Sequence, residues 1–289
     1  MCRGRHLRVF CGRERGSEDN MRFTKMQGAG NDYVYVNCFE EHVDRPEQAA
    51  ITVSDRHFGI GSDGLVLICP SDKADVQMRM FNADGSEGIM CGNAIRCVGK
   101  YVYDHGLVRR SKLTVDTLGG IKELKLDICN GKVDQVTVDM GILEVTSLGV
   151  PEPIHINGED TEFVGISVGN PHAVYFRDDI DGLDLERIGP YYENHSRFPD
   201  RVNSEFVQVV DRGHIRMRVW ERGSGETWAC GTGATASAAA CILMGYTDNV
   251  VKVLLRGGEL TIAWDRETGH GFMTGPAVEV FHGEILLDR

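Results

Sequence analysis

Hydrophobic and polar residues alternate along most of the chain, and this period of two predicts a protein built mainly from β-strands. The alternation is clearest in VQMRMFN, KLTVDTL, IKELKLDI, KVDQVTVDM and HIRMRVWE. Further strands are expected at MRFTKMQ, YVYVNCF and LVLIC, around GNPHAV, at SEFVQVV, and at VKVLLR, ELTIAW, GFMTG and AVEVFHGEILLD. Helical patterns are fewer, and they predict helices at residues 46–56, 91–104, 183–190 and 230–244.

The last of these helices has an unusual composition. It contains ATASAAACILM, and no charged residue lies between Glu226 and Asp248, so it has no face suited to water. An open sheet covers only one side of a helix, and we therefore expect a strongly curved sheet wrapped around this one. The helix at residues 91–104 carries Arg96 and Lys100, and it is expected to be less fully enclosed.

Two stretches of the chain repeat each other at a fixed offset. Met78-Arg79 leads to Cys91, and Met217-Arg218 leads to Cys230, an offset of 230 − 91 = 139 residues. The same offset relates Asn31 to Asn170, Gly64 to Asn203, Asn82 to Glu221 and Glu87 to Glu226. This period is far longer than those of solenoid repeats. The sequence therefore predicts a duplicated domain, with one cysteine contributed by each copy.

These patterns predict an α+β fold of two pseudo-symmetric domains, each a curved, barrel-like mixed sheet around a central helix. We assign residues 21–138, joined by residues 278–289, to the N-terminal domain and residues 139–277 to the C-terminal domain. Residues 1–20 hold five arginines and three acidic residues without apolar periodicity. We expect a disordered extension there, with Met21 as the functional start, and a transit peptide is the alternative.

Composition excludes several classes of function. The chain has 289 residues, 42% hydrophobic residues and a formal net charge of −12, which is typical of a globular protein without a nucleic-acid partner. No apolar run approaches the length of a membrane span. The nine cysteines are scattered, form no zinc-binding pattern and follow no signal peptide. We therefore expect free thiols and a cytoplasmic protein.

A cysteine at the start of each central helix indicates acid–base chemistry. A helix N-terminus offers unpaired N–H groups and a partial positive charge, so we expect the pKa of each thiol to fall below the usual value of about 8.5. Inverting a carbon that carries hydrogen requires a base on one face and an acid on the other. Cys91 and Cys230, on opposite sides of one substrate, would supply both, and the sequence offers no binding motif for a nicotinamide, flavin or pyridoxal cofactor.

Other uses of paired cysteines stay open at this point. A redox disulfide usually has CxxC spacing and gives no reason for matched polar residues. A cysteine hydrolase would pair one cysteine with His172 and leave the second matched cysteine unexplained. A binding or structural role is a further alternative. Two thiols that flank one carbon would also be close enough to oxidise to a disulfide, a reversible switch that we state as a hypothesis.

Five motifs give the chain a family resemblance. At GAGNDYVYV, FNADGSE, MCGNAIRC, VGNPHAV and ERGSGETWACGTGA the sequence closely resembles diaminopimelate epimerases, from Met21 almost to the C-terminus. Proline racemases and phenazine-pathway isomerases of the same fold share only one or two of these motifs. The resemblance implies cofactor-independent interconversion of LL- and meso-2,6-diaminoheptanedioate, in the synthesis of lysine and peptidoglycan precursors. A racemase acting on proline or hydroxyproline is the alternative.

The resemblance also implies a role for each site residue. Cys91 and Cys230 are the acid–base pair. The amides that would hold the reacting carboxylate belong to Gly92, Asn93, Gly231 and Thr232. The ligands implied for the distal carboxylate are Asn82, Asn203 and Arg222, and the ligand implied for the distal ammonium is Glu221. The reacting end would be lined by Asn31, Asn170 and His172, and the thiols would be tuned by His172 and Glu221.

The match departs from the family in few places. The family more often has Gly-Ala after CGN, where this chain has Ala94-Ile95, a change that concerns helix packing more than chemistry. Residues 1–20 have no counterpart in the match. The expected partner is a small amino-acid substrate, with no nucleic acid or membrane, and the resemblance further implies a homodimer.

Overall fold

The computed structural model describes residues 20–287 of the chain. The first half contains β1 (Asn20–Gly28), β2 (Asn31–Asn37), α1 (Pro46–Ser54), β3 (Gly64–Cys69), β4 (Val76–Asn82), β5 (Glu87–Gly88), α2 (Gly92–Asp104), β6 (Lys112–Thr117), β7 (Gly120–Cys129) and β8 (Lys132–Ile142). The second half contains β9 (Glu144–Val145), β10 (Glu152–Ile156), β11 (Glu159–Ser167), β12 (Pro171–Phe176), α3 (Leu185–Glu193), β13 (Asn203–Asp211), β14 (His214–Glu221), β15 (Gly225–Thr227), α4 (Gly231–Leu243), β16 (Val250–Leu255), β17 (Gly258–Trp264), β18 (His270–Pro276) and β19 (Val278–Leu286).

The alternating pattern predicts the long strands correctly and misses the short ones. Every predicted strand is present, whereas β5, β9, β10 and β15 have two to five residues and too little alternation to be recognised. The predicted extension, residues 1–20, lies outside the described residues except for Asn20, which begins β1.

The two halves have the same order of elements. α1 and α2 begin at residues 46 and 92, and α3 and α4 begin at residues 185 and 231, so both pairs of helices keep the 139-residue offset. In the first half β2 is parallel to β3 and β4 to β6, while β6, β7 and β8 are antiparallel. The second half repeats this arrangement from β12 to β18, and β15 pairs with β14 as β5 pairs with β4. The predicted mixed sheets are therefore confirmed.

Two long-range strand pairings connect the ends of the halves. β8 lies antiparallel to β18, which joins the two halves into one continuous sheet. β19 returns to the first half and pairs with β1 from residue 20 to residue 27. This pairing supports our proposal that residues 278–289 belong with residues 21–138. The domain limits themselves stay a proposal.

Both central helices are enclosed by their sheets. Residues 233–242 of α4 are all buried, as the absence of charge predicts. The expectation that α2 is less enclosed holds at Lys100, Tyr103 and Asp104, which are partly exposed, but it is wrong for Arg96, which is fully buried. Its guanidinium lies among backbone carbonyl groups instead of in water. No helix within residues 20–287 is long and apolar enough to cross a membrane.

The helix α3 continues past the point where proline predicts its end. It runs through Pro190 to Glu193, although a proline removes one helical hydrogen bond. Tertiary packing explains the difference, because Gly189 lies against the ring of Trp220, where a Cβ atom would be only 2.2 Å from Cδ2. The Asp184 carboxylate also accepts a hydrogen bond from the backbone N–H of Arg187 at the start of the helix.

A tight turn of the second half is pressed against a turn of the first half, beside the predicted site. A Cβ atom on Gly257 would lie 2.0 Å from the carbonyl oxygen of Ala29, two residues before Asn31. Gly257→Ala is expected to lower the free energy of unfolding by about 1–3 kcal/mol, because the two turns must separate to accommodate the methyl group. Denaturant unfolding followed by circular dichroism measures the change.

Gly213→Ala is the matched control for this prediction. Gly213 also lies in a turn between strands, but the nearest atom to its Cβ position is 3.5 Å away. We expect its midpoint of unfolding to stay close to that of the parent protein. Equal midpoints for the two variants would show that the contact between Gly257 and Ala29 is not tight.

Candidate active site

Each candidate catalytic cysteine immediately precedes a central helix. Cys91 is the N-cap residue of α2, with φ −130° and ψ 121°, and Cys230 is that of α4, with φ −117° and ψ 111°. Both residues are extended, so each side chain lies beside the free N–H groups of the first helical turn. The two cysteines therefore share one local geometry, as expected for a duplicated unit.

The starts of the two helices meet at a single methionine. Cβ atoms built on Gly92 and Gly231 would lie 2.7 Å and 3.5 Å from the same atom, Cε of Met273. Across the same contact, Asn93 Nδ2 donates a hydrogen bond to the carbonyl oxygen of Ala229, at 3.2 Å. The missing side chains at these two glycines leave the space that the end of the Met273 side chain occupies. Residues 139 positions apart in sequence are thus neighbours in the fold.

Asn31 lies beside the first cysteine. The Cys91 thiol donates to Asn31 Oδ1 at 3.3 Å, and Asn31 Nδ2 donates to Asp63 Oδ2 at 2.7 Å. Asp63 also accepts a hydrogen bond from Arg56 at 3.0 Å, so the orientation of Asn31 is fixed by charged neighbours. Asp63 was not identified from the sequence. Its position could have indicated it, because Asp63 is an acidic residue directly before Gly64, one of the positions that the 139-residue offset relates.

Glu221 lies beside the second cysteine. Cys230 Sγ accepts from the N–H of Gly233 at 3.4 Å and lies 3.5 Å from Thr232 Oγ1. The Glu221 carboxyl group lies close enough to raise the pKa of the Cys230 thiol, and it accepts a hydrogen bond from the Thr227 hydroxyl. The resemblance implies two roles for Glu221, and this position beside the thiol supports the role of tuning it.

His172 is buried and holds Asn170 in place. Its Nδ1 lies 2.7 Å from Glu205 Oε1, and its Nε2 lies 3.0 Å from Asn170 Oδ1. Asn170 Nδ2 in turn donates to Thr232 Oγ1 at 3.5 Å. Because both ring nitrogens face oxygen acceptors, the imidazole fixes the orientation of the amide. Sequence reasoning missed Glu205, which stands out only as a single acid within the apolar segment SEFVQVV.

The residues implied for the distal end are only partly assembled. The backbone N–H of Arg222 donates to Asn203 Oδ1 at 3.0 Å, and Asn203 is next to His172 across β12 and β13. Asn82 stays apart, because its Nδ2 donates to Ser86 Oγ at 2.9 Å. Within residues 20–287 it has no hydrogen bond to another candidate site residue.

Part of the repeated polar pattern is structural. Arg79 pairs with Glu87, and Arg218 pairs with Glu226, each at 2.8 Å, in positions related by the 139-residue offset. The first pair connects β4 to β5, and the second connects β14 to β15, the short strand before the cysteine in each half. These matched residues therefore support the two loops and do not approach either thiol.

The expectation of readily ionised thiols is wrong for the folded protein. Burial raises the pKa of the Cys91 thiol, and the N–H groups of Asn93 and Ala94 offset only part of this effect. Burial raises the pKa of Cys230 well above its usual value, and the nearby carboxylates Glu221 and Glu205 raise it further. Desolvation of the thiolate therefore outweighs the helix N-terminus at both positions.

The cysteines that the structure describes are all free. They include Cys91 and Cys230, whereas positions 2 and 11 lie outside the described residues. No group of three or more His, Cys, Asp or Glu side chains suited to a metal ion is found within residues 20–287.

Comparison with known sequences connects this geometry to one family. The family model described as diaminopimelate epimerase matches residues 23–145 and 164–280. A protein named diaminopimelate epimerase from Agathobacter rectalis is 56% identical over 282 residues, which cover 92% of this chain and 99% of the relative. A protein of the same name from Acetivibrio thermocellus is 54% identical, with coverage of 93% and 100%.

Comparison with solved structures identifies the fold. A PhzF-family phenazine biosynthesis protein from Bacillus anthracis aligns with a TM-score of 0.69 at 16% identity, covering 93% of this chain and 100% of the other. A hydroxyproline epimerase from Agrobacterium vitis with bound trans-4-hydroxy-L-proline aligns with a TM-score of 0.68 at 15% identity, covering 93% and 92%. Both structures share the predicted two-domain fold, and at this identity they show the fold alone.

Proposed function

The chain belongs to the diaminopimelate epimerase family, and from this premise we propose that it interconverts LL- and meso-2,6-diaminoheptanedioate by moving protons through Cys91 and Cys230. It is therefore an isomerase, and no cofactor takes part in the proposed reaction. One observation carries the mechanism: α2 and α4 begin against the same Met273 side chain, each directly after a cysteine. This arrangement lets two thiols approach one carbon from opposite sides.

The mechanism requires one thiolate and one thiol at a time. A thiolate on one face removes the α-proton, and the electron pair of the broken C–H bond moves into the adjoining carboxylate. The thiol on the other face then donates its proton to the carbon, which inverts the centre and leaves the two sulfurs with exchanged protonation states. The amides of Gly92, Asn93, Gly231 and Thr232 would stabilise the charge that develops on the carboxylate.

Charged groups at the other end would select a substrate with two amino-acid centres. Arg222 would bind the distal carboxylate through its planar guanidinium, with Asn203 and Asn82 as further ligands. Asn31 and Asn170, each held by neighbouring side chains, would line the reacting end together with His172. Glu221 would serve both the distal ammonium and the Cys230 thiol.

Incubation with LL-2,6-diaminoheptanedioate in D₂O tests the proposal. We expect deuterium at one α-carbon together with formation of the meso isomer, without added cofactor and in the presence of a chelator. A proline or hydroxyproline racemase would instead invert those substrates and leave the diacid unchanged. A protein that only binds its ligand would incorporate no deuterium into any of them.

The raised thiol pKa values predict how activity depends on pH. Only the thiolate is a base, and burial keeps the thiols protonated at low pH, so kcat/KM is expected to increase about tenfold per pH unit below the pKa of the basic thiol. Initial rates measured at constant ionic strength from acidic to mildly alkaline pH give the profile. A flat or falling profile over the acidic half of this range would contradict thiolate catalysis.

The family context suggests where the protein acts. Diaminoheptanedioate isomers are precursors of lysine and peptidoglycan, and lysine biosynthesis is the corresponding pathway assignment. The free cysteines among the described residues support a reducing compartment, so we place the enzyme in the cytoplasm.

A homodimer is also part of the proposal. Within residues 20–287, β19 pairs only with β1, so its other edge is unpaired. That strand exposes Val278, Val280, Phe281 and Leu286. An unpaired edge with exposed apolar side chains is suited to contact with a second copy of the chain.

A further inference from the structure

A buried cation without a counter-ion lies next to the active site. The side chain of Arg96 is 0% exposed, and within the described part of the chain it pairs with no carboxylate. Its guanidinium donates to the carbonyl oxygens of Pro276 and Gly92, both at 3.2 Å, while Nη2 has no hydrogen-bond partner. Burying an uncompensated charge is costly, so this arrangement requires a compensating interaction.

Two glycines make room for this guanidinium. A Cβ atom on Gly28 would lie 3.0 Å from Arg96 Nη2, and one on Gly275 would lie 3.1 Å from Nε. The positions related to these three residues by the 139-residue offset hold Ser167, Val136 and Thr235. The cation and its space are therefore present in one half only, and they break the pseudo-symmetry of the site.

The charged groups near the two thiols differ, because among the described residues a cation lies near Cys91 but not near Cys230. Arg96 faces Cys91, Cys97 and Tyr35, and it lowers the pKa of the Cys91 thiol, although burial and Glu221 raise it. The other ionisable groups facing Cys91 are Tyr33 and Tyr35.

Carboxylates raise the pKa of Cys230, and the buried imidazole of His172, held between Glu205 and Asn170, lies on the same side of the site. Glu221 and Glu205 both raise the pKa of the Cys230 thiol, and Glu205 lies behind it, where a Cβ atom on Gly233 would be 2.8 Å from Glu205 Oε1. Negative charge near a thiol favours the protonated form, whereas a nearby cation favours the thiolate.

We propose that Arg96 is a positioning residue that makes Cys91 ionise more readily than Cys230, so that Cys91 is the first of the two to serve as the thiolate base. The proposal rests on the two-thiol mechanism given above and deepens it by assigning the resting proton. When Cys91 ionises, its thiolate gives the buried Arg96 cation a nearby negative charge, which the cation otherwise lacks. Cys230 keeps its proton among the carboxylates and is ready to act as the acid.

The first measurement uses the protein with Arg96 intact. Alkylation of Cys91 by iodoacetamide is followed against pH in Cys230→Ser, and alkylation of Cys230 is followed in Cys91→Ser, with each modified peptide quantified by mass spectrometry. Midpoints are compared, because accessibility changes the maximal rate but not the pH at which the thiol ionises. We expect Cys91 to ionise at lower pH than Cys230, and the opposite order would overturn the proposal.

The second measurement removes the cation. Arg96→Met in the Cys230→Ser background is expected to move the Cys91 midpoint to higher pH and to slow alkylation near neutral pH about tenfold. Arg96→Lys should retain most of the effect. Thr235→Val is the matched control, since Thr235 is the related residue on α4 and its hydroxyl likewise donates to a first-turn carbonyl, that of Gly231.

A merely structural role for Arg96 predicts a different result. Arg96→Met would then lower the unfolding midpoint but leave the titration of Cys91 unchanged, which would overturn the proposal. If Arg96→Met does not fold, Arg96→Gln in the same background removes the charge with a polar side chain, and the same shift of the Cys91 midpoint is expected. Alkylation requires no turnover, so a failure of epimerisation in D₂O would count against the proposed function and not against this assignment.

Discussion

Replacing Cys91 or Cys230 with serine is expected to lower the rate of inversion by at least about 10³-fold, because a serine hydroxyl is too weak an acid to take over either proton transfer. Both cysteines lie at equivalent N-cap positions, so neither change removes a helical residue. Chiral separation of the LL and meso isomers after incubation of each variant measures the loss.

These serine variants are expected to lose less of their proton exchange than of their inversion activity. The remaining cysteine can still remove the α-proton that faces it and return a deuteron from the solvent to the same face. We therefore expect slow deuterium incorporation with retention, from one isomer in each variant. Cys129→Ser is the control, because Cys129 is exposed at the end of β7, and its activity should stay within about twofold of the parent. Full inversion by either active-site variant would rule out the two-thiol mechanism.

Replacing Arg222 with alanine is expected to lower kcat/KM for 2,6-diaminoheptanedioate about 10²-fold, because the distal carboxylate would lose its charged partner. Arg222 is exposed, and among the described residues its guanidinium donates only to the carbonyl oxygen of Asp200, at 3.2 Å, so it is available for a ligand. The thiols are unchanged, and pH profiles of kcat/KM should keep the same midpoint while the plateau falls.

Arg212→Ala is the matched control for the distal site. Arg212 pairs with Asp248 on the surface at 2.6 Å, and exposed pairs of this kind contribute little. Its kcat/KM should stay within about twofold of the parent. If Arg222→Ala were equally active, the substrate would not be held at a charged distal end, and a proline-type substrate would become the better assignment.

The sequence predicts most of the fold because its information is local and repeated. Alternation along β4, β6, β7 and β8 marks each strand without reference to any partner. The absence of charge in α4 predicts its burial, and the 139-residue offset predicts two equivalent halves. The same local reasoning fails at Pro190 of α3, where it predicts the end of the helix. Packing of Gly189 on Trp220 outweighs the tendency of proline to end a helix.

The candidate site was only partly predictable. Motifs and the repeat singled out Cys91, Cys230, Asn31 and Asn170, whose side chains the structure places at or beside the helix starts. Glu205 was missed because it is important only for what it contacts, namely the buried imidazole of His172. Within residues 20–287 the Asn82 side chain is hydrogen-bonded to Ser86 and to no other candidate site residue.

By itself, the sequence determined the positions of the strands and helices, the duplication, and the pair of cysteines with their preceding loops. These features follow from residue order within short windows and from comparison of one window with another. Only the tertiary structure decided that Met273 lies between the two helix starts, that Arg96 is buried, and that both thiols are harder to ionise than their helix positions suggest. The physical reason is that burial and charge at a site depend on every segment packed around it, and those segments are distant in the chain.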